Sequence, residues 1–162
     1  MTRTHGRSLE GERAYGSAPV QRGKNVTIIG AIALRGIVAF VNILGASNSL
    51  TFEAFIVRCL LPNLWEGACV IMDNASIHKE EELRPLIESV GARLEFLPPY
   101  SPDFSPIENC WSKVKSILRE MEPRNYRDLV SAIQEAFKRI TFKDIHNFFT
   151  HCCYCRTDFV EQ

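Results

Sequence analysis

No stretch of this sequence is apolar for long enough to cross a bilayer. Its longest hydrophobic runs, residues 28–34 and 37–41, are interrupted by Gly30 and separated by Arg35 and Gly36, well short of the ~20 apolar residues a spanning helix needs. The opening residues Met1-Thr2-Arg3-Thr4-His5-Gly6-Arg7 are polar and have no apolar centre, so no secretory signal and a cytoplasmic location are expected. Net charge is lacking as well. The 19 basic and 19 acidic residues cancel, which leaves any recognition of nucleic acid to local patches rather than to the overall field. Paired cysteine spacing is absent: His151-Cys152-Cys153-Tyr154-Cys155 is dense in soft ligands but does not have the pattern of a zinc site. Cys59, Cys69 and Cys110 fall at apolar positions and read as small buried hydrophobes. Without a secretory signal, reduced thiols are expected. No internal repeat, low-complexity tract or linker divides the chain.

What is present fits one domain, residues 1–162, with enough apolar side chains (46%) for a core. Residues 1–24 show no periodicity and read as a poorly anchored basic lead-in. Arg3, Arg7, Arg13, Arg22 and Lys24 outnumber Glu10 and Glu12 there, a balance that fits either a phosphate backbone or an arginine-rich surface loop. Residues 25–34 and 37–44 are rich in Val, Ile and Phe around Arg35-Gly36, which predicts a β-hairpin. Phe52, Phe55, Ile56, Cys59, Leu60 and Leu64 recur at helical spacing, predicting a helix over 51–65 capped by Thr51. A buried strand ending at Asp73, a helix over 79–90 stopped by Gly91, and a strand over 93–97 follow. Helices are predicted from Pro106, over 126–140 and over 142–149.

Two acids stand out. Asp73 closes the apolar run Ala68-Cys69-Val70-Ile71-Met72, and Glu108 opens a helix after Pro98-Pro99-Tyr100-Ser101-Pro102-Asp103-Phe104-Ser105-Pro106. A strand that ends in an acid puts the carboxylate at the carboxyl edge of a sheet, where α/β folds collect ligands. A helix that begins with an acid can aim it at the same place. Two hard oxygen donors in one cleft suit Mg²⁺ or Mn²⁺. Each acid also has a local role open to it. Ser105-Pro106-Ile107-Glu108 has the form of a capping box with proline at the first helical position, and Asp73-Asn74 can close an Asx turn. The helix from Pro106 puts Ile107, Cys110, Trp111, Val114, Ile117 and Leu118 on one face and Glu108, Ser112, Lys115 and Arg119 on another.

The strings Val70-Ile71-Met72-Asp73-Asn74-Ala75-Ser76-Ile77-His78 and Leu97-Pro98-Pro99-Tyr100-Ser101-Pro102-Asp103-Phe104-Ser105-Pro106-Ile107-Glu108-Asn109-Cys110-Trp111-Ser112-Lys113-Val114-Lys115 closely resemble the DDE-superfamily endonuclease domain of insertion-sequence and mariner-like transposases. The resemblance implies an α/β, ribonuclease H-like mixed sheet flanked by helices. It also implies metal-dependent DNA strand cleavage and transfer in transposition, with Mg²⁺ or Mn²⁺ as cofactor. Asp73 and Glu108 match the family's second and third catalytic acids and would be the metal ligands. Asn74, His78 and Asn109 are candidates to orient them, and Lys113, Lys115, Arg119, Arg22 and Lys24 are candidates to hold DNA phosphates. In the family the first catalytic aspartate sits on an opening central strand ahead of the segment matching Met1-Thr2-Arg3, and no acid precedes Glu10 here. The expectation is therefore an incomplete, N-terminally truncated domain that lacks the opening strand and is marginal in stability. Its partners would be transposon-end DNA and either a second copy or a complementing transposase fragment, with no membrane. The alternative is a noncatalytic remnant that binds DNA or a transposase partner.

Overall fold

The computed structural model describes residues 9–13, 25–78 and 80–155, with Glu80 described by its backbone alone. Most of the basic lead-in, Arg22 and Lys24 included, lies outside the described residues. The predicted hairpin forms as β1 (Val26–Ala33) and β2 (Gly36–Leu44). Its turn is Leu34-Arg35 rather than Arg35-Gly36, because Ala33 pairs with Gly36. Gly36 takes φ 123°, a conformation that a residue with a Cβ adopts only under strain. Ala31 opposes Ala39 and Ile32 opposes Ile37, so Val38 is an extra residue in β2. This bulge lets Ile28, Ile32, Ile37 and Phe40 serve one apolar cluster while Ile29, Ala31, Val38 and Val41 serve the other.

The helix expected from Thr51 starts earlier, as α1 (Ser49–Phe55), with Asn48 as its cap. The Asn48 side chain accepts from the Thr51 N–H at 2.9 Å, and Thr51 Oγ1 accepts from the Asn48 N–H at 2.7 Å. Thr51 is thus the inner partner of a capping box. The rest of the predicted helix loosens into a π turn over Ile56–Leu60 and a 3₁₀ turn over Leu61–Asn63, where Pro62 removes a donor that an α pattern would use. The guanidinium of Arg35 lies 3.9 Å over the ring of Trp65 and donates to the Asn63 carbonyl at 2.6 Å, which ties the hairpin turn to this segment.

β3 (Cys69–Met72) and β4 (Arg93–Phe96) pair in parallel, joined through α2 (Glu80–Glu88). Then come α3 (Pro106–Met121), α4 (Tyr126–Lys138) and α5 (Phe142–His151). Among the described residues the strands form two separate two-stranded sheets, β1–β2 and β3–β4.

Two apolar clusters flank the hairpin. One gathers Phe52, Phe55 and Ile56 with Leu83, Ile87 and Leu94 beneath one face of β1–β2. The other packs Cys110, Val114, Ile133 and Phe137 of α3 and α4 on the opposite face. There Phe40 stacks on Phe137 at 4.1 Å and Trp111 meets the same ring edge-on at 5.9 Å. β3 departs from expectation. It was predicted to be buried, yet only Met72 of its four residues is, while Cys69 and Ile71 are exposed. The physical reason is local: β3 bonds β4 on one edge and borders an open cleft on the other.

Candidate functional site

Asp73 follows the last residue of β3 directly, so the strand delivers its carboxylate to the sheet's carboxyl edge. Its Oδ1 accepts from the Ala75 N–H at 3.1 Å, which realises the Asx turn anticipated from Asp73-Asn74. The same oxygen lies 2.8 Å from Nδ1 of His78, and that nitrogen is also 3.0 Å from the Asp73 carbonyl oxygen. Two acceptors converge on one ring nitrogen, so Nδ1 carries the hydrogen. The His78 ring is held from the other side by Phe52, with centroids 4.1 Å apart. The carboxylate is thus anchored through one oxygen and remains 64% exposed.

Glu108 lies in the first turn of α3, where the helix dipole favours an acid. The capping box open to it does not form. Ser105 is the N-cap, but its side chain makes no capping hydrogen bond, and the turn is closed only by the Glu108 N–H donating to the Ser105 carbonyl at 3.0 Å. Among the described residues no partner holds the exposed Glu108 carboxylate.

Asp73 and Glu108 together line two cavities. One, of about 350 Å³, runs between the two sheets and also takes in His78. The other, of about 370 Å³, is walled by Asn74, Leu97 and the Pro98–Pro102 loop. Asn74 braces that loop, its Nδ2 donating to the Leu97 carbonyl at 2.9 Å. Asn109 turns the other way and reaches Sγ of Cys152 at 3.7 Å. Of the three residues expected to orient the acids, His78 touches one, Asn74 holds the loop beside both, and Asn109 contacts the end of α5. Tyr100, which the sequence reading passed over, is fully exposed at φ 56° on the rim of the second cavity. Its only signal was its place in the Pro-Pro-Tyr-Ser-Pro run, a backbone position rarely held by a bulky side chain.

Among the described residues no three His, Cys, Asp or Glu side chains are grouped closely enough to hold a metal ion. The two acids that line both cavities, Asp73 and Glu108, are exposed carboxylates. That set fits a hard divalent ion taking the rest of its shell from water and substrate phosphate, and fits poorly a metal that needs a closed protein cage.

The cations divide. Lys115 and Arg119 are exposed on the same helix as Glu108. Lys113 is engaged, its Nζ 2.5 Å from Oδ1 of Asp144, joining α3 to α5. Burial alone would raise the Asp144 pKa, but hydrogen bonds from Lys113 and Thr141 and the Lys113 charge outweigh it and hold the carboxyl below its usual range. Nearby, burial together with the Asp144 charge pushes the Cys110 thiol up to about 11 against the pull of Lys113, so this thiol stays protonated and inert. A carboxyl whose folded pKa is depressed adds stability above its unfolded pKa, about 3.9, and loses it as pH falls through the folded value. The stability difference between the parent and Asp144→Asn is therefore expected to be full at neutral pH and to vanish in acid. Urea titrations at a series of pH values check this; a difference that does not change with pH would refute it.

The family model described as DDE superfamily endonuclease matches residues 1–130. The fold is similar to a chain of the Mos1 strand transfer complex, with TM-score 0.74 and 17% identity over 93% of this chain and 47% of that one. It is also similar to a chain of the Mos1 transposase paired-end complex with left transposon end, with TM-score 0.71 and 18% identity over 94% of this chain and 50% of the other. This chain therefore spans about half the length of either. No curated protein matches the sequence. No helix among the described residues is long and apolar enough to cross a membrane.

Proposed function

The chain belongs to the DDE superfamily endonucleases, and from that premise we propose that it is a transposase catalytic domain of ribonuclease H-like fold that cleaves and transfers DNA strands with a divalent metal. The observation that carries this reading is the convergence of Asp73 and Glu108 on the same two cavities from different elements. Asp73 and Glu108 would hold Mg²⁺ or Mn²⁺, which when bound supplies charge stabilisation and nucleophile activation for phosphoryl transfer. His78 fixes the Asp73 carboxylate by its Nδ1–H, leaving the second carboxylate oxygen open to the cleft. Asn74 holds the Pro98–Pro102 loop against the end of β3, which sets one wall of the site. Lys115 and Arg119 offer charge to the DNA backbone along α3. Lys113 has a structural partner in Asp144 and is the least available of the cations on this helix.

A second reading, a noncatalytic remnant that binds DNA or a transposase partner, is favoured by the lack of a third grouped ligand among the described residues. Mn²⁺ binding by calorimetry, run beside Mn²⁺-dependent nicking of supercoiled DNA, separates the two. The catalytic reading expects both signals from the parent chain and neither from Asp73→Asn. DNA binding with no metal binding and no nicking would establish the remnant.

A further inference from the structure

The start of α3 carries Glu108, yet the residues around it do little to fix it. Ser105 makes no side-chain cap and Pro106 brings no N–H. The 3₁₀ turn just ahead, Pro102–Phe104, is closed by short-range bonds, from the Phe104 N–H to the Ser101 carbonyl at 3.2 Å and from the Ser105 N–H to the Pro102 carbonyl at 2.9 Å. Phe104 itself is exposed. A helix end of this kind opens readily unless a distant part of the chain holds it.

That hold comes from the turn after α5. Cys153 takes φ 65°, the left-handed conformation that ends many helices and is usually left to glycine. Its N–H donates to the Thr150 carbonyl at 3.0 Å, and the Tyr154 N–H reaches back to the Phe149 carbonyl at 2.9 Å. The turn thereby folds Tyr154 back, its ring edge-on to Phe149 at 6.1 Å and its hydroxyl donating to the Phe104 carbonyl at 3.0 Å. Burial holds this phenol above its usual range, so it keeps the proton it donates. Beside it the buried Cys152 accepts from Nδ2 of Asn109 at 3.7 Å. One turn thus grips the start of α3 at two points, Phe104 before Glu108 and Asn109 after it. At the other end of the same proline-rich loop Asn74 holds the Leu97 carbonyl. Phe149 and Tyr154 also line the larger-mouthed side of the cleft that Asp73 and Glu108 share.

We propose that Tyr154 is a positioning residue for Glu108: by holding the Phe104 carbonyl, its hydroxyl sets where α3 begins and so where the Glu108 carboxylate stands relative to Asp73. The inference rests on the reading above that these two acids hold a divalent ion. Among the described residues no side chain holds the Glu108 carboxylate, so its place follows from the backbone that carries it. Displacements of about 1 Å at a reacting centre cost on the order of 10²-fold in rate, and a helix start held by one hydroxyl is free to make them when that hydroxyl is lost.

Tyr154→Phe removes the hydroxyl and keeps the ring. In the metal-free full chain, hydrogen exchange at the amides of residues 104–108 is expected to quicken about threefold or more, with the second half of α3 and the urea midpoint nearly as in the parent. By calorimetry, Mn²⁺ affinity is expected to fall about three- to tenfold, less than the 10–100-fold typical of a group bonded to a metal ligand itself. Made in the Glu108→Gln background, the same substitution should weaken Mn²⁺ binding no further, a result that a general loss of stability would not give. Exchange unchanged at residues 104–108, exchange quickened throughout the chain, or an equal loss of Mn²⁺ affinity in both backgrounds would overturn the proposal. If the parent chain binds no Mn²⁺, the metal reading fails by itself. Faster exchange confined to residues 104–108 then still supports the Tyr154 hold, and unchanged exchange refutes it.

Discussion

A Glu108→Gln variant is expected to fold as the parent does and, on the metal-binding role proposed for Glu108, to bind Mn²⁺ at least about tenfold more weakly. Glutamine keeps the length and shape of the side chain, and the site is exposed in the first turn of α3, where substitutions usually change stability by less than about 0.5 kcal/mol. The capping box that glutamine would also have preserved is not made, because Ser105 forms no side-chain cap. What changes is charge. One of two carboxylates facing the shared cavities becomes neutral, and hard divalent ions depend on carboxylate ligands. Losing even an outer-shell partner of a metal typically costs 10–100-fold in affinity, so loss of a ligand should cost Mn²⁺ affinity at least about tenfold and nicking about a hundredfold. Calorimetry with Mn²⁺, a DNA nicking assay and urea denaturation of the same sample give the three readouts. Unchanged metal affinity in Glu108→Gln, with a clear loss of stability in Ser105→Ala, would return Glu108 to a helix-starting role.

The largest effect on stability is expected from Leu94→Ala. Leu94 sits in β4 opposite Val70, has no exposed surface, and belongs to the cluster that holds β3–β4 against α1 and α2. Truncating a buried leucine to alanine costs about 2–5 kcal/mol in lost transfer energy and residual cavity. Domains hold only about 5–15 kcal/mol in all, and this one has an open apolar cleft through its middle, so its reserve is expected at the low end. The variant should keep only about 0–3 kcal/mol of that reserve, with its urea midpoint well below the parent's. A shift of less than about 1 kcal/mol would mean that the β3–β4 layer contributes little to global folding.

The two acids were legible in the sequence because each is marked locally, one by the end of an apolar run and the other by the proline that starts a helix. His78 was named from the resemblance as a candidate to orient the acids, but nothing in the sequence showed which atom it would touch. Its bond to that carboxylate depends on how the turn over residues 74–77 folds back. Asn109 shows the converse. It is adjacent to Glu108, but a helix rotates consecutive residues apart, and its side chain meets Cys152, far along the chain. Lys113 sits near Lys115 in sequence, yet Asp144 of α5 takes it. Nothing in the spacing of α3 could have revealed that partner.

Periodicity and punctuation determined the strands, the pairing of the hairpin and the helices other than the stretch over 51–65, which only begins as a helix, because those follow from contacts a few residues apart. Gly36 set the turn and Gly91 the end of the segment after α2. Exposure was beyond the reach of pattern. Cys69 and Ile71 read as buried because apolar runs usually are, and only the tertiary arrangement left them beside a cleft. Whether a strand edge is covered depends on which other strand comes to lie there, a contact made across long stretches of chain or from outside it. Sequence thus fixes the edge, and the surrounding fold decides whether it is filled.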